Sequence, residues 1–276
     1  MTGEYPEVDG LTQHHLEAKV DQAELRRKLA AVKSIVERCR LQFTEDGLYI
    51  NTAGDNDVAS VETTIDAEYT TDFEACTVGV ETGSLYRAAT FTGAPTESVT
   101  VRLDREPDEN SPLSFSCSNS IDWHRMVALD TLDVTPARPE LPIRGEAATA
   151  TVPVRQFKAG VGVADVAGGH PIRISIGSRV VSFCPDPPKG GRGLWPISDD
   201  VTIEGQALSR YAASYLRDMA TALPPGGDVT LRLSDAYPMA VETGDGLRFV
   251  LAPYRPNGLE DTIQQKRAER NGEVEV

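Results

Sequence analysis

No stretch of about 18 apolar residues occurs in the sequence, so nothing in it reads as a membrane-spanning helix. Cysteine is sparse and unpaired in spacing. Cys39, Cys76, Cys117 and Cys184 are scattered, with no CxxC pair, and His14, His15, His124 and His170 do not complete a ligand set with them. That pattern predicts no metal site, and reduced, buried thiols of a cytosolic protein. The opening MTGEYPEVDGLTQHHLE lacks a basic region followed by an apolar core, so it does not read as a signal peptide. No nucleophile elbow or metal-ligand spacing appears, and the carboxylates are spread through loops and surfaces. No catalytic residue is therefore assigned, and the chain reads as a protein without enzymatic activity. The run PPKGGRG imitates a phosphate loop but lacks the Gly-Lys-Ser/Thr ending and the strand-before, helix-after context, so no cofactor is expected. Basic charge is scarce too: 27 Lys and Arg stand against 42 Asp and Glu, a formal net charge of −15. Such a surface favours solubility, particularly in high salt. In sum it argues against nucleic acid, because phosphates repel carboxylates, but the placement of the cations matters more than the total.

What is present is a core and a repeat. A chain of 276 residues with 40% hydrophobic content suits two domains of ordinary size. Ser84-Leu-Tyr-Arg87 followed by Val99-Thr-Val-Arg-Leu103 recurs 130 residues later as Ser214-Tyr-Leu-Arg217 followed by Val229-Thr-Leu-Arg-Leu233. The same helix, turn and strand at a fixed offset mark a duplicated domain. Between the copies, 131–146 (TLDVTPARPELPIRGE) holds Pro136, Pro139 and Pro142, which keep it extended and outside a central sheet. The expected organisation is an extension at 1–20, a first domain at 21–130, a connector at 131–146, a second domain at 147–256, and a polar, disordered tail at 257–276.

Each half reads as two helices over many strands. Residues 21–39 place Leu25, Leu29, Val32, Val36 and Cys39 on one apolar stripe, with Arg26, Arg27, Lys33 and Arg38 away from it. Hairpin signals follow around Asp46-Gly47. A second helix, 82–92, carries Arg87 and ends before Gly93 and Pro95. In the second half, 154–166 buries Phe157, Val161 and Ala164 and bears Arg155 and Lys158. A fourth helix, 207–223, buries Ala212, Leu216, Met219 and Leu223, and projects Arg210 and Arg217 from another face. Four amphipathic helices with cations opposite their core side, in an acidic protein, predict a positive wall and a negative exterior. Such a wall can follow a duplex, which carries one charge per about 1.7 Å, without reading bases.

The chain resembles the ring-shaped DNA sliding clamps of archaea and eukaryotes, the proliferating cell nuclear antigen (PCNA) type, over roughly residues 20–256. The residues that carry the likeness are Leu25-Arg-Arg-Lys-Leu29, Leu132-Asp-Val134, Tyr215-Leu216, Val229-Thr-Leu231, Pro238 and Leu251-Ala-Pro253. The acidity gives the likeness a haloarchaeal or haloarchaeal-virus character. The resemblance implies an α+β DNA clamp fold of two duplicated domains, each with two short helices packed on antiparallel sheets. Three subunits would close around double-stranded DNA, tether polymerases and other proteins that carry clamp-interacting peptides, and be opened by a separate clamp loader. The DNA-binding set it implies, together with the helical cations above, is Arg26, Arg27, Lys33, Arg87, Arg155, Lys158, Arg210 and Arg217. In the third helix the family's usual basic positions fall on Ala159 and Gly162, so Arg155 and Lys158 would take over there. A partner-peptide surface would involve Ala53, Val58, Val134, Pro136, Pro139, Pro238, Val250, Ala252 and Pro253. Ser60 stands where the family has a larger apolar residue, which makes that surface shallower.

Ring closure in the family adds an edge strand of one subunit to an edge strand of the next. One edge here would be 121–127, with Ile121, Trp123, Arg125 and Val127. The other would be confined to 193–197, with Leu194 and Ile197, because Pro185, Pro187, Pro188 and Pro196 interrupt the segment. That short edge leaves a second reading open beside the homotrimer: a clamp-fold interaction module, a monomeric decoy or one subunit of a hetero-oligomeric clamp.

Overall fold

The computed structural model describes residues 14–54, 57–69, 76–90, 98–104, 113–118, 124–129, 147–168, 170–186 and 193–255. The connector at 131–146, the tail at 257–276 and the interface positions 121–123 lie outside the described residues. The first described element corrects the reading of 1–20 as a loose extension over 14–20, while residues 1–13 lie outside the described residues. His14–Asp21 is a strand, β1, whose Leu16, Ala18 and Val20 are buried. Burial alternates with a period of two, as a strand on a core requires, but three modest apolar residues carry it and the signal is faint in sequence. β1 pairs antiparallel with β7 (Ser98–Asp104), which sets Glu17 opposite Arg102; the Arg102 Nε donates to Glu17 Oε2 at 2.8 Å.

Helix α1 spans Gln22–Ile35, shorter than the expected 21–39. The Asp21 carboxylate accepts from the Glu24 backbone N–H at 2.7 Å and satisfies one of the donors a helix start leaves unpaired. Leu25, Leu29 and Val32 form its buried stripe. Cys39 is not part of that stripe; it belongs to β2 (Arg38–Thr44), where burial alternates. Burial pushes the Cys39 thiol up to about 12, so the thiol stays protonated and inert.

The first half continues with β3 (Gly47–Ala53), β4 (Ala59–Ile65), β5 (Ala67–Tyr69), β6 (Cys76–Glu81), α2 (Thr82–Thr90), β7, β8 (Leu113–Ser118) and β9 (His124–Leu129). The second half runs β10 (Ala148–Pro153), α3 (Val154–Val166), β11 (Ile172–Ile176), β12 (Val181–Pro185), β13 (Trp195–Ile197), β14 (Thr202–Glu204) and β15 (Ala207–Tyr211). It closes with α4 (Ala213–Ala222), β16 (Asp228–Leu233), β17 (Met239–Thr243) and β18 (Arg248–Leu251). The order repeats one for one. β1 lies between β5 and β7 as β10 lies between β14 and β16, and β2 lies between β3 and β6 as β11 lies between β12 and β15. The repeated Ser-to-Arg tetrapeptides fall on α2 and α4, and the repeated strands are β7 and β16. Duplication in sequence is therefore duplication in topology.

Two compact units result, and they differ from the expected boundaries near the C-terminus. Residues 221–224 and 242–250 cluster with the first unit, where β18 lies beside β4, rather than with the rest of 147–256. In the first unit α1 packs on β4 and against α2, and in the second α3 packs on β12.

The expected fourth helix at 207–223 is also corrected. Burial across Ala207–Tyr211 alternates in and out, and these residues pair antiparallel with β11 as β15. The helix begins only at Ala213, so Arg210 stands on a strand and shares no helix face with Arg217. The stretch ALSRYAASYLRDM carries apolar residues at both periods. The open edge of β11, whose backbone groups need partners, decides for a strand over its first five residues.

One close approach fixes α3. The Phe157 and Phe183 rings meet edge to face, with centroids 5.6 Å apart and planes at 84°. A Cβ added at Gly160 would stand 2.6 Å from the Phe183 ring, so the helix lies against β12 only because residue 160 has no side chain. Gly160→Ala is expected to lower the thermal midpoint. Overpacking costs about 1–3 kcal/mol, against roughly 1 kcal/mol gained in helix propensity. Calorimetry that finds the variant more stable would contradict this packing.

Candidate functional site

Arg26 and Lys33 are both exposed on α1 and, seven residues apart, stand two turns from one another on one face. Lys33 Nζ lies 4.9 Å from the Tyr86 ring centroid, which joins the α1 face to α2. Arg87 is exposed on α2; its Nη2 donates to Ser84 Oγ at 2.8 Å and faces the Glu81 carboxylate at 3.5 Å. Arg27 is turned aside, half-buried and ion-paired with Asp245. Lys28, beside it, is buried and spans Glu24 and the Thr64 carbonyl. Burial pushes the Asp245 carboxyl up, but the Thr243 hydroxyl and the Arg27 charge outweigh it and hold the group below the usual carboxylate range. Glu81 is held low chiefly by the Ser84 hydroxyl.

In the second unit, Arg155 is exposed on the first turn of α3, at a shallow depression walled by Pro153, Asp200 and residues 225–228. Lys158 is half-buried on the next turn. Arg217 projects from α4, and its Nη1 donates to Asp165 Oδ2 at 3.2 Å near the end of α3. Ala159 is half-buried and Gly162 and Val166 are exposed, so beyond Lys158 the open side of α3 carries no cation. Arg210 pairs with Asp186 on the sheet of β11, β12 and β15, and Arg173 approaches the same carboxylate at 3.9 Å. Of the eight cations, Arg26 and Lys33 therefore share one face of α1, and Arg87 stands on α2, whose Tyr86 meets Lys33. Arg217 stands with α3 in the second, and Arg210 is apart from it.

The positions expected to meet a partner peptide separate as follows. In the first unit Ala53 and Val58 are half-buried and Val250 is buried. In the second, Pro238, Ala252 and Pro253 are half-buried, while Val134, Pro136 and Pro139 lie outside the described residues. Three neighbours of the second group escape sequence reasoning. Leu208, Tyr237 and Tyr254 are exposed at 46%, 41% and 37%, unusual for large apolar side chains. They sit in one hydrogen-bonded neighbourhood of β15. The Leu208 N–H donates to Asp235 Oδ1 at 2.7 Å, the Tyr254 N–H to the Arg210 carbonyl at 2.7 Å, and the Tyr211 hydroxyl to the Tyr237 carbonyl at 3.0 Å. Reading 207–211 as a strand would have exposed Leu208 as an outward apolar position.

β9, which holds the described part of the expected edge 121–127, and β13 each stand at the end of a sheet among the described residues. Among the described residues β9 pairs only with β8, setting Arg125 opposite Cys117 and Val127 opposite Phe115, and β13 pairs only with β12. Leu194 is 57% exposed just before β13, whereas Ile197 is buried, so Ile197 offers its backbone rather than its side chain. No cluster of three or more His, Cys, Asp or Glu suited to a metal occurs among the described residues, and no described helix is long and apolar enough to cross a membrane.

A doubled order of two helices among antiparallel strands, with edge strands β9 and β13 open among the described residues, is the α+β clamp fold. Solved structures that it matches include PCNAs. The PCNA of Entamoeba histolytica superposes with a TM-score of 0.76 at 17% identity, over 88% of this chain and all of that one. The Archaeoglobus fulgidus PCNA, solved with the C-terminal region of FEN-1 bound, gives 0.69 at 19% identity over 88% and 99%. In sequence the chain is 24% identical over 241 residues to the DNA polymerase sliding clamp of Natronomonas pharaonis, covering 82% of this chain and 92% of that protein. It is 25% identical over 247 residues to that of Haloarcula marismortui, covering 83% and 94%. No family model matches the chain. In fold the chain is similar to PCNAs, and in sequence it is similar, at about a quarter identity, to DNA polymerase sliding clamps.

Proposed function

We propose that this chain is a DNA sliding clamp, a processivity factor that encircles double-stranded DNA in the cytoplasm and tethers replication and repair proteins without catalysis of its own. The observation that carries the reading is the one-for-one repeat of helices and sheets with exposed cations on α1, α2, α3 and α4. Paired cations on repeated helices suit a sequence-independent path for phosphates, and an acidic remainder keeps the duplex from other surfaces. Relatives named as DNA polymerase sliding clamps, aligned over more than four-fifths of the chain, support it. Leu208, Tyr237, Pro238, Ala252, Pro253 and Tyr254 form a partner-peptide surface on the second unit, an apolar patch of the kind that seats a short helical turn. The FEN-1 peptide on the Archaeoglobus fulgidus PCNA is the model for such a ligand. A clamp loader would open the ring.

Closure follows from the two open edges: β9 of one subunit adding to β13 of the next yields a homotrimer. β13 is only Trp195–Ile197, with Pro196 unable to donate, so each junction gains few ladder bonds. That brevity favours the second reading, a clamp-fold subunit that closes only with a different partner. Light scattering at low and at molar salt tests the difference. A mass three times the 29.8 kDa subunit is expected. A monomer at every concentration and salt would sink the self-sufficient ring.

A further inference from the structure

Three of the cations assigned to the DNA path are not bare: Arg27, Arg87 and Arg217 are each ion-paired with a carboxylate. Arg87 on α2 and Arg217 on α4 are repeat equivalents, 130 residues apart. Each is held by a carboxylate of its own unit, Glu81 for the first and Asp165 for the second. Arg27 is held in the same way by Asp245. None of these pairs is locked away, since the arginines are 70%, 55% and 34% exposed. A phosphate can therefore compete for each guanidinium. Asp165 is the most enclosed of the three acids at 18% exposure, and it also faces His170 Nε2 at 3.9 Å. By contrast Arg26 and Arg155, both exposed, have no ion-pair partner among the described residues.

We propose that Glu81, Asp165 and Asp245 act as built-in counterions that hold Arg87, Arg217 and Arg27 and make DNA binding by this chain much less salt-dependent than its count of DNA-facing cations implies. The inference rests on the reading of Arg87 and Arg217 as DNA-facing, and of Arg27, which its pair with Asp245 turns aside, as a cation that joins them only on release. A lone cation that neutralises a phosphate releases about 0.9 of a condensed ion, which is the origin of the steep loss of affinity with salt. An arginine that leaves a carboxylate to meet a phosphate frees one ion from the DNA and leaves the carboxylate to gather another. The two exchanges oppose each other, and the pair contributes little to the slope. The consequence is weaker binding at low salt and better-retained binding at high salt, with Arg26, Arg155 and other unpaired cations setting most of the residual slope. The carboxylates are thus positioning residues for DNA binding, acting through the arginines rather than on the duplex.

The test is an anisotropy titration of the full chain against an end-labelled duplex across a KCl series, within the range where circular dichroism shows each variant folded. Asp165→Asn, Asp245→Asn and Glu81→Gln keep the shape and remove the charge. Each is expected to tighten binding severalfold at the lowest salt and to steepen the plot of log K against log salt by up to about 0.9 for every arginine released. The triple variant should combine the three changes. Tighter binding with an unaltered slope would overturn the counterion role, because simple removal of repulsion would suffice. Unaltered binding in all three variants would overturn it as well. Arg217→Glu in the same titration separates this from the underlying reading. If it weakens binding while the acid variants change nothing, the arginine faces DNA and only the counterion role falls. If it too changes nothing, the DNA-facing assignment falls and takes the inference with it.

Discussion

Reversing Arg26, Arg155 and Arg217 together to Glu is expected to remove stimulation of a cognate polymerase on long templates while leaving the fold and peptide binding intact. These three are exposed cations on α1, α3 and α4, so no core contact is lost with them. A charged hydrogen bond to a phosphate is worth about 1.5–3 kcal/mol, which is on the order of tenfold in affinity or more for each cation removed. Glu also adds repulsion at the same point, and a trimer would multiply every change by three. Primer extension at moderate salt measures the effect, with circular dichroism and peptide binding as controls. Polymerase stimulation equal to that of the parent protein would defeat the assignment of the helical wall. Arg210→Glu is the informative contrast. Arg210 stands on β15 and pairs with Asp186, so its reversal should leave extension nearly unchanged.

The second large effect concerns the patch beside β15. Leu208→Glu, or Tyr254→Ala, should weaken capture of a clamp-interacting peptide by about 2 kcal/mol, on the order of 30-fold, if these exposed apolar groups anchor the ligand as interface hot spots do. Neither change should reduce stability appreciably, since Leu208 is 46% and Tyr254 37% exposed and apolar surface that is already wet contributes little to folding. Isothermal titration with a FEN-1-type C-terminal peptide reads the loss. Undiminished affinity in both variants would defeat the assignment of this patch as a partner surface.

Much of the architecture was legible because it was written twice. The matched Ser84–Arg87 and Ser214–Arg217 segments fell on α2 and α4, and the matched strands on β7 and β16, so the repeat located four elements without any contact information. Helix α3 was read to the residue, since Phe157, Val161 and Ala164 leave no ambiguity of period. Two errors have different physical origins. β1 is carried by three modest apolar residues, so its period is faint, whereas β15 is short, abuts a helix, and has apolar residues that fit a strand and a helix start alike. The repeat itself held the remedy: a strand before α3 calls for one before α1, and a strand before α2 calls for one before α4.

What the sequence determined alone is the doubled α+β order, the helical cations and the acidic remainder, because periodicity, repeats and charge are local properties of the chain. Tertiary structure alone decided which cations stand together. Arg26 and Lys33 share an exposed face, Arg27 turns to Asp245, Arg217 is held by Asp165, and Arg210 leaves the group by lying on a strand. It also decided that Leu208, Tyr237 and Tyr254, separated by up to 46 positions in the chain, meet beside one strand edge. Ion pairs and patches of this kind join residues distant in sequence. No spacing encodes them; the pairing of β15 with β11 and the packing of the helices on their sheets do.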